Sequence, residues 1–250
     1  MRNVIRAARS AVLFAVVALT SCSLDSSPPT DDSTPRAAVK VINLLQGVDN
    51  ALIGFETGRP LTVIAYPSVA PTEPGTYFFV PAAVPKQLRV LLTTATVLDS
   101  TVTFADRQTY TIFTLGSRTA TGVTGPGYLV LQNNMTVVAN GGVRLRFVHG
   151  ATATVPVDVH VIADSAAFTA APALMQNVRY RGTATVEARL AGNRRLCVIA
   201  TGVVPTATGS NCLAVLSVGV APGISVTAAL RDPVGTETTP GVLLTVDRTP

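Results

Sequence analysis

From about residue 39 to its end, this chain is dominated by stretches in which apolar and polar side chains alternate at every second position. In VPVDVHVIA, Val155, Val157, Val159 and Val161 fall on one face while Pro156, Asp158, His160 and Ile162 fall on the other. TATVEARL does the same, with Ala184, Val186, Ala188 and Leu190 opposed to Thr183, Thr185, Glu187 and Arg189. Successive residues of a strand point to opposite faces, so a period of two marks half-buried antiparallel strands. Related runs include VKVINLL, LRVLLTT, TYTIFTLG, GYLVLQ, RLRFVH, RRLCVIA, LAVLSVGV, ISVTAAL and GVLLTV. Short strands broken by Gly and Pro over so long a region predict sandwiches or open barrels. The one helical candidate, SAAFTAAPAL, is limited to a turn or two by Pro172.

The strands recur in order. VKVINLL at 39 pairs with VRLRFVH at 143, LRVLLTT at 88 with RLCVIAT at 195, TYTIFTLGS at 109 with SVTAALRDP at 225, and PGYLVLQNN at 126 with PGVLLTVDR at 240. The offsets drift only as loop insertions would make them. Each copy has the usual size of a β-sandwich domain, and Ala-Asn-Gly-Gly within 138–142 supplies a break. The expected fold is therefore all-β: two tandem antiparallel immunoglobulin-like β-sandwich domains, 39–137 and 143–250. A single large sandwich with accidental internal similarity is the alternative.

VRLRFVHGATATVPVDVHV resembles the opening of domain of unknown function 4397, a bacterial extracytoplasmic family with a V-R-x-x-H-like strand followed by V-D-V-x-V. TYTIFTLG, after the turn ADRQ, is similar to a later strand of that family. The resemblance spans most of 39–250 as two copies, and the first has Asn43-Leu44-Leu45 where the family's His would lie. It implies a β-rich envelope domain and no established activity.

The N-terminus carries an address. Arg2, Arg6 and Arg9 form a basic head and Ala11–Leu19 a short apolar core, the layout of a secretory signal peptide, far below the roughly 20 apolar residues of a spanning helix. Leu19-Thr20-Ser21-Cys22 resembles the lipobox of bacterial lipoproteins, which implies a signal peptide over 1–21 and lipidation of Cys22. Each buried CH₂ contributes about 0.8 kcal/mol, so two or three acyl chains hold a soluble domain at a bilayer where one would release it. Ser23 stands where an Asp would resemble an inner-membrane retention signal, which favours the outer membrane in a host with two. Residues 22–38, rich in Ser, Pro, Asp and Thr, read as a flexible tether.

Removing the signal leaves 16 basic against 14 acidic residues and no Lys/Arg run to follow a phosphate backbone, so no nucleic-acid partner is expected. In an exported chain the remaining Cys197 and Cys212 read as one disulfide, with two buried free thiols as the alternative.

Catalytic motifs are scarce. There is no G-x-S-x-G elbow, no H-E-x-x-H, no phosphate-cradling G-x-x-x-x-G-K-[ST], and the four glutamates are scattered. His149, Asp158 and His160 are the weak candidates for a metal site or general base; Asp158 and His160 share a polar strand face that reads as solvated. Tyr66, Tyr77, Phe78, Phe79, Tyr128 and Tyr180 could make a sugar-binding platform, although Trp is absent, and Arg179 and Arg181 beside Tyr180 could meet an anionic polymer. The leading expectation is a non-catalytic, lipid-anchored envelope protein without a cofactor, acting in interaction, adhesion or ligand capture. Its partners would be the membrane, through the lipid, and an envelope protein or extracellular polymer. The alternatives are a metal-dependent enzyme or hydrolase using the His-Asp-His trio, and a carbohydrate-binding module. The ligand-binding residues are not legible.

Overall fold

The computed structural model describes residues 34–56, 59–92, 95–152 and 155–248, in which the regular elements are strands and three single 3-10 turns. The segment read as a signal peptide, 1–21, and Cys22 lie outside the described residues. In the first half the strands are β1 (Arg36–Gln46), β2 (Ala51–Glu56), β3 (Arg59–Ile64), β4 (Ser68–Ala70), β5 (Phe78–Pro81), β6 (Lys86–Leu92), β7 (Ala95–Val102), β8 (Thr109–Ser117) and β9 (Gly127–Gln132). The second half contains β10 (Val143–His149), β11 (Val157–Ala163), β12 (Met175–Val178), β13 (Thr183–Ala188), β14 (Gly192–Ala200), β15 (Ala214–Val220), β16 (Ser225–Arg231) and β17 (Gly241–Arg248). β1 starts inside the stretch read as tether, because Arg36, Ala37 and Ala38 pair with Pro81, Val80 and Phe79.

Four sheets result: β3-β2-β6-β7, β4-β1-β8-β9 (with β5 also on β1), β13-β10-β16-β17 and β12-β11-β14-β15. The alternation places Val39, Val41 and Leu45 of β1 against Ile53 and Phe55 of β2 and Leu88 and Val90 of β6, which makes the first core. Val143, Leu145 and Phe147 of β10 meet Val157, Val159, Leu196 and Val198 to make the second. The all-β sandwich expectation is met, with two corrections. β1 pairs with β8, and β10 with β16, in parallel, so the two inner sheets are mixed rather than purely antiparallel. Parallel neighbours need a long crossover; here the chain supplies it by visiting the other sheet of each half between them.

A second correction concerns burial. β1, β8, β10 and β16 are buried along nearly their whole length, on both faces. The inner sheets cover one another: Ile42, Leu44, Phe113 and Leu115 of the first half pack on Val148 and Ala229 of the second. A Cβ at Gly150 would lie 2.8 Å from both the Leu230 carbonyl oxygen and a Leu44 methyl, so this close approach requires glycine.

Along the strands this contact changes from apolar to charged. Lys40, one turn of the pleat before Ile42, is fully buried, with Nζ 2.6 Å from the Val246 carbonyl and 4.9 Å above the Tyr77 ring. Arg146 reaches in the opposite direction, from β10 to Asn133 Oδ1 (2.8 Å) and Thr111 Oγ1 (3.1 Å), and bonds Asp247 and Thr227 in its own half. The two cations hold equivalent places. Lys40 is in register with Thr111, whose hydroxyl bonds Asn133; Arg146 is in register with Thr227, whose hydroxyl bonds Asp247. Three residues on, Asn43 and His149 also correspond: Asn43 Nδ2 donates to the Val48 carbonyl, and His149 Nε2 lies 3.1 Å from that of Val155. At this position each half thus reaches across with a basic side chain. Burial lowers the Lys40 pKa against the attraction of Asp247, and raises that of Asp247 against the attraction of Arg146.

Candidate functional site

The residues expected to carry chemistry do not converge. His149 ends β10, buried and edge-on to Tyr180, with its pKa lowered first by that burial. Asp158 and His160 project from β11 to the outer side of the second half. Among the described residues no three His, Cys, Asp or Glu side chains gather to hold a metal. The proposed aromatic platform also disperses. The Tyr66 hydroxyl donates to Asp232 O and that of Tyr77 to Asp247 O, both bridging the halves. Tyr128 accepts from Ser100, Phe78 packs on the first core, and Phe79 is exposed alone. Arg181 donates to Gly125 O across the halves, leaving Arg179 exposed beside it.

The face bearing Asp158 and His160 is covered, contrary to the solvated face expected from the alternation. Asp158 is 8% and His160 7% exposed. Two loops cover them, 164–174, with a 3-10 turn at Phe168–Ala170, and 201–213. Phe168 sits on Ile162, Cys197 and Ile199 as a small separate core. Neither loop has a periodic pattern, so their docking was invisible to a strand-based reading. Burial pushes the Asp158 carboxyl up, but bonds from the Asn177 N–H, the Thr201 hydroxyl and the Gly202 N–H outweigh it and hold the pKa below the ordinary carboxylate value. Asp158 is thus a clip for the start of the second loop. His160 Nδ1 is 3.1 Å from the Ala171 carbonyl, an acceptor only, so that nitrogen carries the proton and donates.

Loop 201–213 is fastened along its whole length. The Cys197–Cys212 disulfide ties its far end to β14 across a Cα–Cα distance of 5.7 Å. The Phe168 N–H donates to Ala207 O, Thr206 N–H to Asn211 Oδ1, Asn211 Nδ2 to Val204 O, and Arg195 Nη2 to Thr208 O. The Arg195 guanidinium lies 4.8 Å over the Phe168 ring. Gly209, at φ +78°, packs on that ring and on Cys212 Sγ, where a Cβ would have no room. So fastened, the loop nevertheless holds Val204 75% exposed and Val203 45% exposed. Val155, 58% exposed, lies near the start of the same loop, since the Thr201 N–H donates to Pro156 O. Between the two loops runs a groove of about 400 Å³, walled by Phe168, Ala171, Pro172, Val203 and Val204, with His160 at its floor. Sequence reasoning found the cysteines but missed the display loop; the signal available was Gly-Val-Val-Pro, an apolar pair between turn residues inside the disulfide loop.

No helix among the described residues is long and apolar enough to cross a membrane. No curated protein matches the chain. Residues 37–160 match the model of a family described as Domain of unknown function (DUF4397), a match that runs from β1 through the first half and into VRLRFVHGATATVPVDVH at the start of the second.

Proposed function

We propose that this chain is a lipid-anchored cell-envelope protein, held at a bilayer through Cys22, that acts by binding a protein partner rather than by catalysis. One observation carries the binding half of this reading: a loop fixed by a disulfide and a set of hydrogen bonds holds two valines in water. Fixing an apolar contact before a partner arrives removes the entropy that binding would otherwise spend on ordering it, and exposed apolar side chains grouped around a groove suit protein contact. The halves are two copies of one domain in this reading, with the second specialised for contact. The enzyme alternative loses support because His149 lies on a different sheet from Asp158 and His160, and the sugar platform because its tyrosines serve other contacts.

A photo-reactive residue at Val204 should give a discrete cross-linked species in intact cells, while the same residue at the exposed Val123 of the first half should not. Equal products at both positions, or none at 204, would refute the contact surface. The anchor is tested separately: Cys22→Ala should leave an unprocessed precursor without a lipid label, and normal palmitate incorporation would contradict it. Protease shaving of intact cells distinguishes a surface location, which releases 39–250, from a periplasmic one, which protects it.

A further inference from the structure

A second site lies at the charged end of the contact between the halves. There a cleft of about 170 Å³ opens between the end of β9 and the strands β10, β13, β16 and β17. At about 30 Å³ per liquid water it has room for about six waters or one pyranose ring. Its wall contains two guanidinium groups, yet neither is available to an anion. Arg144 is engaged by Glu187 and by the carbonyls of Asn134 and Thr136, and Arg146 by Thr227, Asn133, Thr111 and Asp247. The same two groups repel a metal cation. Besides Asp247, the unused hydrogen-bonding groups are neutral: the Thr183 and Thr185 hydroxyls and the Asn134 Nδ2, all on exposed residues, have no protein partner among the described residues, while Leu131 and Val226 add an apolar strip. Asp247, 4% exposed, also lines the cleft; its Oδ2 is taken by Arg146 and Thr227, and its buried Oδ1 has no hydrogen-bond partner. Its counterpart in the first half, Asn133, has both side-chain atoms bonded.

We propose that this cleft binds a neutral, polyhydroxylated ligand, the terminal unit of a glycan, read by hydrogen bonds rather than by ring stacking. Hydroxyls that both donate and accept match free threonines and an amide donor beside a buried carboxylate, which neither an inorganic anion nor a metal does. The site is distinct from the stapled loop and does not depend on it.

The test is amide chemical-shift perturbation on the full chain, using the methyl glycosides of glucose, galactose and N-acetylglucosamine as probes and inorganic phosphate and Ca²⁺ as controls. At least one glycoside should give saturable shifts confined to Asn134, Thr183, Thr185 and Ser225. Thr185→Val, an exposed and nearly isosteric change, should weaken it about tenfold, the worth of about one good hydrogen bond, and Thr183→Val should give an independent reading. The absence of saturable shifts with every glycoside would overturn the proposal. So would shifts unaffected by both variants, or an equal response to phosphate or Ca²⁺.

Discussion

The two halves share a strand order but differ in what they do with their outer sheets. Toward each other they are nearly symmetric, with Lys40 answering Arg146, Asn43 answering His149 and Asn133 answering Asp247 across a common apolar patch. Away from each other they diverge. The first outer sheet leaves Leu52 and Leu91 half-buried and Val63 exposed, whereas Ile162, Cys197 and Ile199 of the second are sealed beneath Phe168 and the stapled loop. A face that must fit a partner half has little freedom to vary, because each buried polar group there needs an acceptor or donor on the opposite sheet. A face that meets only water can acquire a cap, and a cap can acquire a function.

The inner symmetry breaks most severely at Arg146. Arg146→Met would leave Asp247 buried without its cation and strip Asn133, Thr111 and Thr227 of a shared partner. Removing one member of a buried pair costs about 3–5 kcal/mol, and chemical denaturation should show that loss in a single transition, because the cluster belongs to both halves. Two separated transitions would mean the halves unfold independently.

The outer asymmetry is probed next. Replacing Cys197 and Cys212 together with alanine should cost about 3 kcal/mol on the chain-entropy account for a loop of this length. Hydrogen exchange should accelerate across 201–213 while β1 and β8 keep their protection. Loss of protection in the first half would show that the cap supports the whole molecule rather than one end of it.

Asn43 tests whether its match with His149 is chemical as well as positional. Its side chain serves the carbonyls of Val48 and Ala65, the Leu45 N–H and the Thr114 hydroxyl. Asn43→Ala should therefore destabilise by about 2 kcal/mol, the cost of a few stranded buried groups softened by relaxation. Asn43→His should recover part of that, as measured by the same denaturation curves; a histidine no better than alanine would reduce the correspondence to strand position alone.

Most of the fold was legible because period-two alternation survives single-residue noise, and the disulfide was legible from cysteine arithmetic once the chain was read as exported. What could not be read was which polar positions meet water. Lys40 stands in VKVINLL where a solvated residue would stand, and its burial is made tolerable by the Val246 carbonyl, the Tyr77 ring and the Asp247 carboxylate, all distant in sequence. Asp158 and His160 misled for the same reason: the loops that cover them carry no periodicity, so nothing local distinguishes a capped face from a wet one. The weak catalytic trio was a product of that ambiguity, while Val203 and Val204, lying outside any strand pattern, attracted no attention.

The smallest expected effect is the most discriminating between the paired cations. Lys40→Met keeps the length of the side chain and removes a charge whose burial opposes folding, while taking a donor from Val246 O; the two changes offset, and stability near neutrality should move by no more than about 1 kcal/mol. The pH dependence should change more clearly. Burial lowers the Lys40 pKa in the folded state, so between that lowered value and the unfolded value of about 10.4 the unfolded chain holds more protons. Stability then rises with pH through this window. Tyr66 and Tyr77, both shifted upward first by burial, oppose the rise only where unfolded tyrosine ionises, near about pH 10. Denaturation of the wild type from neutrality toward that limit should show the upward slope, and Lys40→Met should flatten it. Identical slopes would mean that Lys40 keeps its proton as readily as a solvated lysine, and that the buried cation is carried by its contacts with Val246 and Tyr77 at no net electrostatic cost.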